Sequence, residues 1–322
     1  MNNRIIPSGG ASLLLVCLLA VTLASGCASA LLHFALQPAN PRAGADPEQT
    51  LIWLESRSSG CAQWYRQARE SGSLRDTFIL SDDGTRLHAL YCKALTDSRK
   101  TAVIVHGYTS APEGMSMIGR MYRDSLGYNI LMPSLRRHGK SEGREVQMGW
   151  HDRLDVKRWC SVAHETFDDT LQVCHGISMG GATVMMLSGE PDLPRYVRGI
   201  IDDCGYTSVW DEFSMLLRDS MKIRDTTILV RADKLCQKRY GWGFKEASSI
   251  DMVSKSSVPM LFIHGDADNY VPVWMGQKCY EAKTEGYREL WLPEGARHAA
   301  SYTRYPAEYT ARVRKFLAER VE

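Results

Sequence analysis

From Thr101 to Leu292 the chain keeps one rhythm: short apolar runs that stop at glycine, proline or a polar residue alternate with longer stretches of helical spacing. That rhythm is the signature of β-α-β units and a parallel sheet, because parallel neighbours need a long crossover between them. Six runs qualify as strands: Ala102 to Val105, Asn129 to Met132, Gln172 to His175, Arg198 to Ile201, Pro259 to Ile263 and Glu289 to Leu292. Their apolar character is continuous rather than alternating, so both faces of the sheet are expected to be covered.

Around this centre the pattern changes. Thr77 to Leu80 and the alternating run Leu87 to Cys92 flank Asp83-Gly84, which predicts an antiparallel hairpin ahead of the parallel strands. Leu51 to Ala68 reads as a helix outside the main core, and Pro306 to Val321 as an amphipathic helix that covers the sheet. Between residues 206 and 257 the strand rhythm stops. Two helical stretches carrying Trp210, Phe213, Leu216, Leu217, Trp242 and Phe244 predict a small helical cap inserted into the domain. The apolar cap residues either line a substrate pocket or form the cap's own core.

The 322 residues, 44% hydrophobic and 24% charged, are enough to bury a full core without staples. Lys and Arg total 39 against 37 Asp and Glu, a balance that argues against nucleic acid as a partner; Arg136-Arg137-His138 reads as part of a loop. None of the nine cysteines shows C-x-x-C spacing and no H-E-x-x-H occurs, so neither a metal nor another cofactor is expected. If the chain is exported some of the cysteines could pair, in a connectivity that is not legible; buried free thiols are the commoner state.

No charge lies between Arg4 and Arg42, and Ala11 to Ala24 is an apolar run of the length of a signal h-region. Ala24-Ser25-Gly26-Cys27 looks like a bacterial lipobox that would lipidate Cys27, with its leucine one place early at Leu23; Ala28-Ser29-Ala30 offers a cleavage site; extension through Leu36 approaches a membrane span. Lipoprotein, uncleaved anchor and cleaved signal are the three readings. All put the catalytic domain outside the cytoplasm, membrane-associated in the first two. A helix packed into the domain is disfavoured by Pro38, Pro41, Gly44 and Pro47. The expected division is a targeting segment over residues 1–30, a linker and helix over 31–73, and the main domain over 74–322.

The strand run ending at His175 leads directly into Gly176-Ile177-Ser178-Met179-Gly180-Gly181, a G-x-S-x-G elbow at a strand-to-helix junction. Glycines two places either side relieve a sharp turn that lifts Ser178 above the sheet. A serine hydroxyl needs a base to take its proton, and the base needs a group to orient it. Asp266 and Asp268 follow one strand and His298 follows the next, in the order serine, acid, histidine. Asp268 lies further out on its loop and is the expected acid; Asp266 is better placed to hold the loop. Met179 and Tyr108, the latter in His106-Gly107-Tyr108 after the first parallel strand, are expected to supply the backbone N–H groups of an oxyanion hole. The other histidines, among them His106, His138, His175 and His264, read as structural.

These residues resemble those of bacterial α/β-hydrolases of the serine aminopeptidase S33-like and lysophospholipase-like kind, over about residues 74 to 320. The likeness rests on His106-Gly107-Tyr108, the loop Pro133 to Ser141, the elbow, His264-Gly265-Asp266-Ala267-Asp268 with Val271-Pro272, and His298. In the loop, Ser134 and Arg137 replace the Asp and Gly of the usual D-x-R-G-H-G-x-S. The resemblance implies the α/β-hydrolase fold and hydrolysis of an ester, thioester or amide of a small acyl substrate, and it does not choose among them. An ester is preferred to a peptide, since no acidic cluster in the cap announces an amine site. A membrane-tethered binding protein that has lost activity is the alternative of another class. The oligomeric state is not legible.

Overall fold

The computed structural model describes residues 26–37, 47–224 and 226–322. Helix α1 covers residues 26–36, α2 Pro47–Arg57 and α3 Cys61–Glu70. The strands are β1 Arg75–Leu80, β2 Arg86–Cys92, β3 Lys100–Val105, β4 Asn129–Pro133, β5 Leu171–Ile177, β6 Val197–Asp203, β7 Met260–Ile263 and β8 Arg288–Trp291. The helices between and after them are α4 Ser116–Arg120, α5 Asp152–Phe167, α6 Met179–Ser188, α7 Val209–Met215, α8 Thr227–Tyr240, α9 Ser249–Val253, α10 Val273–Ala282, α11 Ser301–Arg304 and α12 Pro306–Phe316.

The strands form one sheet in the order β1-β2-β4-β3-β5-β6-β7-β8. β2 runs antiparallel to β1 and β4, and every other pairing is parallel. The parallel sheet and the N-terminal hairpin are those the strand rhythm predicts, and together they make the α/β-hydrolase arrangement that the resemblance implies. Alternate residues of β3 serve two cores: Val103 and Val105 pack with α5 and α6 on one face, Ala102 and Ile104 with α3, α4 and α12 on the other. Burial on both faces explains the unbroken apolar runs.

Two helices differ from the expectations. The predicted helix over 51–68 is broken at Gly60, which adopts φ 75°, and the Glu55 carboxylate accepts the Gly60 and Ala62 N–H groups at 2.8 and 3.2 Å to start α3. Both halves bury apolar residues against the sheet, Leu54 and Cys61 completely, so they lie within the core rather than outside it. The second difference is α1. Ala28, Leu31, Leu32, Ala35 and Leu36 recur at helical spacing and are buried in the α5/α6 core, so this stretch packs on the domain despite the prolines that follow it. Ala11 to Ala24 lies outside the described residues. No described helix is long and apolar enough to cross a membrane.

Between β6 and β7 stand α7, α8 and α9. Ser208 caps α7 by accepting the Asp211 N–H at 3.0 Å. Phe213 meets Phe244 edge to face at 4.9 Å, and Trp242 lies beside Phe244. These aromatics are buried and join the core on the α5/α6 face of the sheet. The described cysteines are all free thiols, buried except for Cys27.

Candidate active site

β5 ends at Ile177 and α6 begins at Met179, which leaves Ser178 alone to make the turn, at φ 58° and ψ −121°. That backbone is costly for a residue with a Cβ and survives only where its surroundings over-determine it. The constraints are visible. The Ser178 N–H donates to the Asp203 carbonyl at 2.8 Å, and a Cβ added to Gly180 would lie 2.1 Å from the Val105 carbonyl oxygen, inside any possible contact. A Cβ on Gly176 would meet the Gly180 oxygen at 2.0 Å. The two glycines flanking the serine are therefore required by close backbone approach.

The loops after β7 and β8 bring Asp268 and His298 to Ser178. His298 Nε2 lies 2.9 Å from Ser178 Oγ, and His298 Nδ1 lies 2.7 Å from Asp268 Oδ2. Asp268 Oδ1 accepts the N–H groups of Tyr270 and Val271, both at 2.9 Å, and its side chain is fully shielded from solvent. The carboxylate is thus held by three hydrogen bonds and orients the imidazole with Nδ1 as donor, leaving Nε2 to accept from the serine hydroxyl. Asp266 instead accepts the Gly295 N–H at 2.6 Å and pins the loop that carries His298. Ligand atoms of Cys204, Asp268 and His298 lie within 4.8 Å of one another, but two of these groups are already bonded together.

Met179 opens α6, where the first N–H groups have no acceptor within the helix. Tyr108 follows Gly107, which approaches so closely that an added Cβ would lie 3.2 Å from Ser178 Cβ. Two buried histidines brace this loop. His106 Nδ1 donates to the Gly107 carbonyl and its Nε2 accepts the Leu135 N–H; His138 Nδ1 donates to the Arg136 carbonyl and its Nε2 accepts the Thr109 N–H at 3.1 Å. Burial lowers their pKa values to about 3 and about 4, so both rings stay neutral and keep the acceptor nitrogen these bonds require.

A buried chain behind the site escaped the sequence reading. Tyr122 OH donates to His175 Nδ1, His175 Nε2 donates to Tyr309 OH, and Tyr309 OH donates to Asp203 Oδ2 at 2.9 Å. Asp203 also accepts from Ser301, and burial raises its pKa to about 6. Because its carbonyl holds the Ser178 N–H, Asp203 ties the Ser178 turn to α11 and α12, directly after His298. The available signal was two carboxylates, Asp202-Asp203, ending an apolar strand run.

A cavity of about 420 Å³ opens over Ser178. Met148, Met179, Tyr206, Phe213, Leu216 and Tyr270 give it an apolar wall, and His33, Phe34, Ala35 and Gln37 of the N-terminal segment close another side. Tyr108 OH donates to the Ala35 carbonyl at 2.8 Å, which fastens that segment to the loop beside Ser178. Glu212 of α7 lines the same cavity.

Residues 138–322 match the model of the prolyl oligopeptidase family. The chain is 30% identical to the Bacillus subtilis protein YqkD over 70% of its own length and 74% of that protein's. It is 24% identical to the α/β-hydrolase domain-containing protein WAV2 of Arabidopsis thaliana, over 64% of this chain and 65% of that one. In three dimensions it is similar to the Pyrococcus furiosus esterase Pf2001, with a TM-score of 0.63, 22% identity and coverage of 79% of this chain and 95% of that one.

Proposed function

Because the chain belongs to the prolyl oligopeptidase family, within the α/β-hydrolase superfamily, we propose that it is a serine hydrolase that cleaves a carboxylic ester through an acyl-enzyme on Ser178. The observation that carries this reading is the unbroken line Ser178 Oγ, His298, Asp268 at 2.9 and 2.7 Å. His298 takes the hydroxyl proton as Ser178 Oγ attacks the carbonyl, and Asp268 stabilises the resulting imidazolium. The Met179 and Tyr108 amides receive the oxyanion. His298 returns the proton to the leaving alcohol, and water repeats the sequence to release the acid.

The apolar cavity favours an acyl chain over a charged group. The second reading is an S33-like aminopeptidase, which needs a carboxylate for the substrate amine; among the described residues Glu212 is the acid that lines the cavity. A silent binding protein would have no need of an oriented base on an unprotected serine. Turnover of p-nitrophenyl esters of increasing length, set beside aminoacyl amides, tests the proposal. Ester release by the parent and its loss by about 10⁴-fold or more in Ser178→Ala are expected; preferred cleavage of aminoacyl amides would favour the peptidase.

The N-terminal apolar run is proposed to export the chain, with lipidation at Cys27 holding it at the membrane outside the cytoplasm. Cys27 is exposed, as a modified residue must be. Labelled palmitate should enter the parent and not Cys27→Ala; no incorporation in the parent would overturn the lipoprotein reading.

A further inference from the structure

Glu212 is the acidic side chain among the described residues that line the cavity. It sits in the first turn of α7, is 8% exposed, and its Oε2 has no hydrogen-bond partner among the described residues. Leaving such an atom unsatisfied is unfavourable, and a buried charge there would be more so. The described residues lining the cavity include no lysine or arginine to balance an anion, and its remaining wall is mainly apolar and aromatic.

We infer that Glu212 sets specificity in this pocket by donating a hydrogen bond to an acceptor oxygen, a ketone or hydroxyl, carried by the acyl part of the substrate. The inference rests on the reading of Ser178 as the acylated nucleophile and deepens it by naming the kind of acyl group. A carboxyl can donate only when protonated. Burial, helped by the negative charge of Asp268, raises the Glu212 pKa to about 8, so the acid form prevails at neutral pH. Tyr206 and Tyr270 also stand near it in the cavity, and His33 faces the same space from the N-terminal helix. An oxygen on the substrate would accept that proton, whereas an unsubstituted chain would displace water from the carboxyl and leave it unpaired. Sites built to hydrogen-bond a substrate group discriminate strongly against analogues without it.

The test is a series of p-nitrophenyl octanoates in which a ketone is walked along the chain, compared with the plain octanoate and with an amino-substituted ester. In the parent, one oxo ester should exceed the plain ester in kcat/KM by roughly tenfold or more. Glu212→Gln should keep much of that ratio, because its amide N–H still donates, and Glu212→Leu should bring it to about one. Reading the ratio within each variant separates specificity from any loss of folded protein. Equal rates for oxo and plain esters at every position in the parent, or an undiminished ratio in Glu212→Leu, would overturn the inference. So would preference for the amino ester that Glu212→Gln abolishes, which would assign the residue to an ammonium group. Ester release that persists in Ser178→Ala would instead overturn the reading of Ser178, whatever the ratios.

Discussion

Ser178 holds a backbone conformation that its type disfavours, and its neighbours are what keep it there. The Gly180 Cα lies against the Val105 and His106 carbonyls, so Gly180→Ala cannot be absorbed by moving a flexible side chain. A loss of more than about 3 kcal/mol, or failure to fold, is expected in denaturant unfolding. Glu212 makes a prediction of the opposite kind. Its folded pKa is raised, so the stability it contributes is present below the ordinary carboxylate range and is lost as pH rises toward about 8. Glu212→Gln has no proton to lose there. Its Tm relative to the parent should therefore climb between pH 5 and pH 8.5, and a pH-independent difference would contradict the protonated state. Ser178, Asp268 and His298 were legible in sequence because a turn motif and a chain order point to them. Glu212 and Asp203 were not, since an acid on a helix or at a strand end reads as a solvated charge until the packing around it is known.

At the level of elements, strands were easier to read than their coverings. A strand buried on both faces writes its environment into a continuous apolar run, and all six such runs became β3 to β8. Helices over 26–36 and 51–68 carried the right periodicity, but the side they face depends on the whole sheet. The prolines that follow Leu36 in sequence do not stop α1 from packing, and Gly60 breaks another helix without removing it from the core. Leu36, with no exposed surface, should cost about 2–5 kcal/mol as Leu36→Ala. Phe34 is 59% exposed and lines the cavity, so Phe34→Ala should leave Tm almost unchanged and weaken the preference for longer esters. The same loss of Tm in both variants would show that Phe34 serves packing and not the pocket.

For the molecule as a whole, the segment next to the N-terminal apolar run does two jobs: it buries one face of α1 on the domain and walls the cavity over the candidate nucleophile. A chain lacking residues 1–25 should keep both the stability and the chain-length preference of its parent, and one lacking residues 1–37 should lose both, as thermal unfolding and the ester series would record. The proposed chemistry, however, rests on Ser178. Labelling the full chain with a fluorophosphonate, followed by mass mapping of the adduct, tests it most directly. One adduct on Ser178, slowed in His298→Ala and absent in Ser178→Ala, is the predicted result; an adduct formed equally in Ser178→Ala would contradict it.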